Sequence, residues 1–449
     1  MPEQHRWLPV GLDDPFSVAP CRKDHAPDMI GSLETLPQTT NDTAPPSVET
    51  WRANVVDSNR IRSRLTQQWL RLKGPRPQRL SGAIRAGRSG VDLEPGPGTY
   101  ARTNTTNLIT VARSAAQAAR IDWAISGLQT HYPTRAITIV SDPALDRTSG
   151  ELGPDEGALS ISTRLVRPDS GSAVVGHFES VTVTGGPRRL GNPFRTAVAL
   201  CIPDLPIVVW WAGDVQYDLG MVRDLAMASD RVIVDSAVFG DVLRGLTSLA
   251  PLVGPIGQSR AVLADMAWLR LRDWRNVIAQ FYDAPPDPAV LASLSSVTIE
   301  YVADPAPGSV SGLSSALLLA GWLASRLGWR MIDGVARTSS GLRLVFTSPR
   351  NHPVIVRLQA LPQGDATMGL TSVTLTSTGT ARAEYRVEQF DDAELLTTST
   401  LPEHPPLTRH VMVSPQDDAA LLECVLQDPA RDSVYDDALA TVAAAFARR

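Results

Sequence analysis

Unbroken apolar runs and helix-period stripes alternate through the middle of the chain, and their succession predicts an α/β core. Leu108-Ile-Thr-Val111, Ala136-Ile-Thr-Ile-Val140, Ile207-Val-Val-Trp-Trp211 and Val232-Ile-Val234 are short and rich in β-branched or aromatic residues. A strand with one exposed face alternates apolar and polar positions. Continuous runs therefore predict strands covered on both faces, as in a parallel sheet between helices. Helix-length segments stand between them. An alanine-rich stretch that Ser114 can cap runs to about residue 129, and 218–228 has a helical stripe. Strand, helix and strand in that order make a right-handed crossover unit. Further strands are predicted at 159–166 and 178–184, with a helix from Asn192-Pro-Phe to Leu200.

On either side the pattern changes. Residues 1–50 show neither helix nor strand period and are expected to be a disordered extension. From Val48 to Leu72, Trp51, Val55, Leu65, Trp69 and Leu72 recur at helical intervals, which predicts one or two amphipathic helices. Lys73-Gly-Pro-Arg-Pro77 ends them, and the Gly- and Pro-rich stretch 81–106 reads as a linker. The stripe from Leu263 through Trp268 and Trp274 to Tyr282 predicts one long helix, punctuated by Asp283-Ala-Pro-Pro-Asp-Pro288.

Beyond that boundary a helix at 310–329, apolar on most of its circumference, is expected to be buried. Strand runs at 297–302, 342–347, 354–360, 373–376 and 383–387 favour an antiparallel sheet packed on it, and two helices close the chain at 417–426 and 433–447. The expected organisation is a 1–50 extension, 51–104 helices and linker, a 105–285 α/β domain with an open, mostly parallel sheet, and a 286–449 α+β domain with a largely antiparallel sheet.

Composition narrows the classes of function. With 449 residues, 43% apolar and 20% charged, this is an ordinary globular chain. A net charge of −5 without a basic, aromatic-interleaved face predicts no nucleic-acid partner and no anionic membrane surface. The first residues lead into no apolar core of signal-peptide type, and 316–327 is too short for a span, so a cytoplasmic location is expected. Cys21, Cys201 and Cys424 are few and far apart, as in a reducing compartment.

The motifs of familiar chemistry are missing. Ala112-Arg-Ser114 stands where a dinucleotide-binding turn would carry glycines. The chain contains no phosphate loop of the Gly-x-x-x-x-Gly-Lys type, no Gly-x-Ser-x-Gly elbow, no His-Glu-x-x-His and no Cys-x-x-Cys. No cofactor and no catalytic residue is predicted. Five residues remain as candidates for binding a partner or an anion. Arg188 and Arg189 precede a helix start, Asp214 and Asp235 follow strands at the carboxyl edge where open α/β sheets place their crevice, and Trp211 closes the central run. Each also has a plain structural reading, as solvated turn, helix cap or packing.

Ordered blocks along the chain resemble the glucose-6-phosphate dehydrogenase assembly protein family, OpcA. They are Asn107-Leu-Ile-Thr-Val-Ala-Arg-Ser114, His131-Tyr-Pro-Thr-Arg-Ala136, Pro203-Asp-Leu-Pro-Ile-Val-Val-Trp-Trp-Ala-Gly-Asp214 and Asp230-Arg-Val-Ile-Val-Asp-Ser236, then Asp265-Met-Ala-Trp-Leu-Arg-Leu-Arg-Asp-Trp-Arg275, Leu317-Leu-Leu-Ala-Gly-Trp-Leu-Ala-Ser-Arg-Leu-Gly-Trp329 and Asp432-Ser-Val-Tyr-Asp-Asp-Ala-Leu439. The resemblance covers 48–449 and implies a non-enzymatic effector that binds glucose-6-phosphate dehydrogenase and promotes its active assembly in the oxidative pentose phosphate pathway. Cyanobacterial members associate cysteines with thioredoxin-dependent control, and near 177–183 this chain has none. The rival expectation is a sensor or enzyme of sugar phosphates, with Asp214 and Asp235 in a crevice and Arg188 or Arg189 on the phosphate.

Overall fold

A computed structural model of the chain describes residues 47–53, 56–72, 101–102, 104–128, 132–147, 159–166, 176–190, 193–215, 219–252, 261–282, 288–303, 312–362, 369–378, 382–414, 416–428 and 430–447. In the first half these form β1 (Ser47–Ala53), β2 (Ala101–Arg102), β3 (Thr106–Ala112), β4 (Thr134–Ser141), β5 (Leu159–Val166), β6 (Gly176–Gly185), β7 (Ile207–Trp211), β8 (Arg231–Val234) and β9 (Val262–Asp265). They join in the order β1-β5-β6-β4-β3-β7-β8-β9, with β2 beside β6. From β6 to β9 every neighbouring pair is parallel. Taken in chain order those six strands read 3-2-1-4-5-6 across the sheet, the order of the dinucleotide-binding fold. β5 and β1 extend it as an antiparallel edge.

The apolar runs are continuous because successive side chains fill opposite cores. Along β7, Val208 and Trp210 pack with the Ala115–Leu128 and Asp418–Gln427 helices. Val209 and Trp211 face the other side, with the Ser58–Leu72, Pro193–Leu200, Leu219–Met227 and Val242–Leu249 helices. Asn107 sets the approach to β7, since its side-chain amide donates to the Ile202 and Leu205 carbonyls and its oxygen accepts from the Ile202 amide at 2.7 Å.

The second half forms β10 (Leu294–Val302), β11 (Arg330–Thr338), β12 (Gly341–Thr347), β13 (Pro353–Leu361), β14 (Leu370–Ser377), β15 (Ala383–Asp391), β16 (Glu394–Thr400) and β17 (Leu407–Met412). Their order is β11-β12-β13-β10-β14-β15-β16-β17, antiparallel except between β10 and β13. One face carries Val297, Ile299, Leu344, Phe346, Val356 and Val373 into the core that the first sheet shares. The other face presents polar side chains such as Thr298, Arg357 and Arg386 that are less than fully covered. Between the sheets lies the Leu313–Arg326 helix, buried at every position from Ser314 to Ala324, as its all-round apolarity predicts.

Several expectations change. The stretch from Val48 does not begin as a helix. Ser47–Ala53 is a strand that sets Trp51 opposite Ile161, and among the described residues of this stretch the helix is Ser58–Leu72. Arg64 explains the position of the two elements, since it lies over the Trp51 ring and pairs with Glu49. The long helix expected over 263–282 is a strand followed by two short helices. Val262–Asp265 pairs parallel with β8, and then Met266–Arg270 and Arg272–Gln280 meet at Leu271. The Asp265 side chain accepts from the Ala267 amide and so starts the first of these helices. β11, β16 and β17 were not predicted, because polar and threonine-rich positions obscure their period. The 1–50 extension up to residue 46, most of the 81–106 linker and the 283–287 punctuation lie outside the described residues.

Gly321 is where the Leu313–Arg326 and Ser433–Ala447 helices touch. A Cβ there would stand 2.4 Å from the Ala438 carbonyl oxygen. Gly321→Ala is expected to force the helices apart and cost about 1–3 kcal/mol in urea unfolding. A gain near 1 kcal/mol, the helix propensity of alanine alone, would show that the contact has no such constraint.

Candidate functional site

In an open α/β sheet of this strand order, the ligand crevice opens beyond the carboxyl ends of β3 and β7, where helices leave in opposite directions. Here that space belongs to side chains of the protein itself. The loop after β3 is turned by Gln117, whose Oε1 accepts from the Arg113 amide at 2.7 Å, while Ser114 caps the helix through the Gln117 amide. The Gln117 side-chain carboxamide, distinct from the backbone amide that Ser114 receives, reaches over the loop after β7, and its Nε2 would lie 3.3 Å from any Cβ at Gly213. Asp214 faces the next turn and accepts from the Gly240 amide at 2.8 Å.

One turn further along the same helix, Arg120 crosses to the end of β8. Asp235, fully buried, receives its Nη2 at 2.7 Å and is forked by Arg270 at 2.8 and 3.1 Å. Both guanidiniums also hold Asp418, the first residue of the Asp418–Gln427 helix: Arg120 through Nε and Nη2, Arg270 through Nη2 at 3.1 Å. The result is a ring of two arginines and two carboxylates made from four elements far apart in sequence. Burial pushes the Asp235 carboxyl up, but the facing Arg270 and Arg120 charges outweigh it and hold its pKa at about 2.

The C-terminal segment is fastened at further points. Arg231 donates to the carbonyls of Val425 and of Ala430, satisfying the end of the Asp418–Gln427 helix. Trp268 donates to Asp432 at 2.7 Å, and the Arg275 guanidinium lies 3.5 Å from its ring centroid. Asp265, also buried, accepts from the Ser236 and Ala267 amides at 3.0 Å and from the Tyr435 hydroxyl at 3.4 Å. Burial raises its pKa to about 6 against those hydrogen bonds, and the Asp235 charge adds to the rise.

The five candidates from the sequence are distributed as follows. Trp211, Asp214 and Asp235 stand at the carboxyl ends of the adjacent strands β7 and β8. Trp211 is covered by the shared core, and Asp235 faces the arginine ring. Arg188 and Arg189 follow β6, with β4 and β3 between them and β7, and both are exposed. The Arg188 amide donates to Asp146. Cys201 and Cys424 lie on opposite faces of the first sheet, and burial pushes the Cys201 thiol up to about 11. Arg120, Arg270 and Asp418 escaped sequence reasoning, because a lone arginine on a helical stripe gives no sign of its distant partner.

Chemically, the ring can fix the Asp418–Gln427 helix over the sheet edge, with its guanidinium donors aimed at carboxylates of the same chain. Among the described residues no three His, Cys, Asp or Glu side chains gather as metal ligands, and no helix is long and apolar enough to cross a membrane.

Comparison with known proteins places this geometry in context. The family described as glucose-6-phosphate dehydrogenase subunit N-terminal domain matches residues 126–251, and its C-terminal domain counterpart matches 261–439. A protein of Nostoc punctiforme named OxPP cycle protein OpcA is 31% identical over 218 residues, 47% of this chain and 44% of its own length. Its namesake from Synechocystis is 26% identical over 284 residues, 59% of this chain and 55% of its own. The chain thus spans about half the length of the curated relatives it matches. Among solved structures, an oxidoreductase from Sinorhizobium meliloti aligns with a TM-score of 0.43 at 14% identity, over 77% of this chain and 97% of its own, a likeness that carries no argument about activity.

Two outcomes test the site. Arg270→Met leaves Asp235 buried with one cation and is expected to cost about 3 kcal/mol in chemical denaturation, most of it recovered when Asp235→Asn is added. Asp265 titrates near its ordinary 3.8 when unfolded and at about 6 when folded. Between those values the folded state holds the extra proton, so its contribution to stability falls as pH rises through that window. Asp265→Asn keeps an oxygen for the two amides and removes the titration. Urea midpoints from pH 4.5 to 7 should therefore fall for the wild type relative to the variant, and parallel curves would refute the assignment.

Proposed function

The chain belongs to the glucose-6-phosphate dehydrogenase assembly family, OpcA, and from that membership we propose that it binds glucose-6-phosphate dehydrogenase and promotes its active oligomeric state without catalysing a reaction itself. The observation that carries the reading is the crevice. A sheet with the strand order of a dinucleotide-binding fold has its carboxyl edge occupied by Gln117, Arg120 and Asp418. The position where such folds hold a ligand is devoted to internal fastening, which favours action through a surface. An effector of this kind needs only a higher affinity for the active state of its partner than for the inactive one.

Titrating the purified chain into the cognate dehydrogenase, while following substrate saturation and molecular mass, tests the proposal. A saturable shift toward the larger assembly, with higher activity at low substrate, is expected. The chain alone is expected to show neither turnover nor saturable binding of glucose 6-phosphate. Absence of any complex, with mass and kinetics unchanged, would overturn the reading.

A further inference from the structure

Asp235 and Asp265 are both buried at the carboxyl edge of the first sheet, and only the first is paired with cations. Val234 is the partner of Asp265 across β8 and β9, so the two carboxyls are close neighbours. Among the described residues no Lys, Arg or His pairs with Asp265, which is 1% exposed. Around it stand two backbone amides at 3.0 Å, the Tyr435 hydroxyl at 3.4 Å and the Ser236 side chain. The Ser236 hydroxyl is itself fully buried and, among the described residues, makes no hydrogen bond. A buried carboxylate without a cation is unfavourable and takes up a proton more readily. Once protonated, Asp265 becomes a donor, and the free Ser236 oxygen can accept from it.

The groups around Asp265 divide into fixed and removable ones. Ser236 and Ala267 donate from the turns that end β8 and β9, and Ser236 is also tied to the buried Leu313–Arg326 helix, whose Ser314 hydroxyl donates to its carbonyl at 2.5 Å. Tyr435 arrives from the first turn of the Ser433–Ala447 helix, 170 residues away in sequence. Its ring is fully buried and lies 5.7 Å from that of Trp268, while Asp432 and Ser433 just before it are exposed. Solvent is therefore nearest on the side that this turn covers. The charged groups on the turn are Asp432, which accepts from the Tyr435 amide and from Trp268, Asp436, paired with Arg431, and Asp437, paired with Arg326. Arg275 faces them across the Trp268 ring, and on the sheet side stands Asp235 with Arg120 and Arg270.

We infer that Asp265 is a proton-operated latch on the start of the Ser433–Ala447 helix: protonated, it holds Tyr435 and its turn closed over the sheet edge, and ionised, it favours a state in which the turn lifts and the carboxylate meets water. The inference is independent of the proposed dehydrogenase partner. Lifting the turn returns the Asp265 carboxyl from about 6 to its ordinary 3.8. Below the lower value both states hold the proton, and above the upper value neither does. The opening equilibrium therefore rises with pH between the two and is level outside them. Each pH unit between the values is a factor of ten, so the whole rise is about a hundredfold, of which about twentyfold falls between pH 4.5 and 7.

Amide hydrogen exchange of the full chain, resolved by peptide and corrected for the intrinsic pH dependence of exchange, tests the latch. Peptides covering 433–439 should lose about twentyfold in protection between pH 4.5 and 7, while those of β3 and β7 keep theirs. Asp265→Asn should flatten the profile of 433–439. Tyr435→Phe retains the buried ring and removes a donor that favours the ionised carboxyl, so it should enlarge the rise. A loss of protection shared equally by β3 and β7 would be global unfolding and would overturn the latch. So would a wild-type profile of 433–439 that is level across this range, or one that Asp265→Asn leaves unchanged. Should Asp265→Asn fail to fold, the comparison of wild type with Tyr435→Phe decides: an equal rise in the two overturns the role of the Tyr435 contact.

Discussion

A buried carboxylate with two guanidiniums on it governs how this chain closes. Asp235 is fully buried at the end of β8, where it accepts from the Ala237 amide at 3.4 Å and its charge is met by Arg120, from the helix after β3, and Arg270, from the helix after β9. An unpaired carboxylate in that position would face a desolvation penalty of several kcal/mol. The two arginines bring an excess of positive charge, which Asp418 balances. One ionic requirement therefore draws the Asp418–Gln427 helix, more than a hundred residues away in sequence from either arginine, onto the first sheet. Such rings contribute little net stability compared with apolar packing of the same volume. Their geometric demand is strict, however, and here it fixes which turn of the Asp418–Gln427 helix stands over the sheet edge.

The same ring accounts for the unusual use of a familiar topology. Strand order brings the ends of β3 and β7 together, and in other proteins of that order the gap receives a pyrophosphate against glycine backbone. In this chain the turn is Ala112-Arg-Ser114, so Cβ atoms stand where the backbone would need to approach a phosphate. Gln117 then crosses the gap. Fold and function separate at this point, since the layers are retained while the site is rebuilt from internal hydrogen bonds.

What could be read from the sequence follows from where the apolar signal is strong. β3, β4, β7 and β8 are covered on both faces, and their unbroken runs announced them. The Leu313–Arg326 helix announced itself in the same way. β9 did not, because Val262–Asp265 is four residues long and its apolar positions run into the stripe of the next helix. Its strand character comes from the edge of β8, which no local pattern records. β11 and β17 were hidden for the opposite reason: they are exposed at nearly every position, so the alternation that marks a half-buried strand is absent. At the crevice, Asp214 and Asp235 were recognised as strand-end residues, but the arginines that define the environment of Asp235 are long-range partners. Proximity of that kind is a property of the fold alone.

An exposed terminal strand is costly to keep, because it invites nonspecific pairing, and β17 retains Leu407 and Met412 on it. The size of this edge limits how a partner can use it. Stable protein complexes commonly bury about 1,600 Å² in total, and six strand residues by themselves supply only a part of that. Beside this edge Glu388 pairs with Arg386 at 2.7 Å and Glu394 with His410, so those charges are answered within the sheet, and pairing along it would be selected by backbone hydrogen bonds and apolar contact rather than by a surplus of one charge.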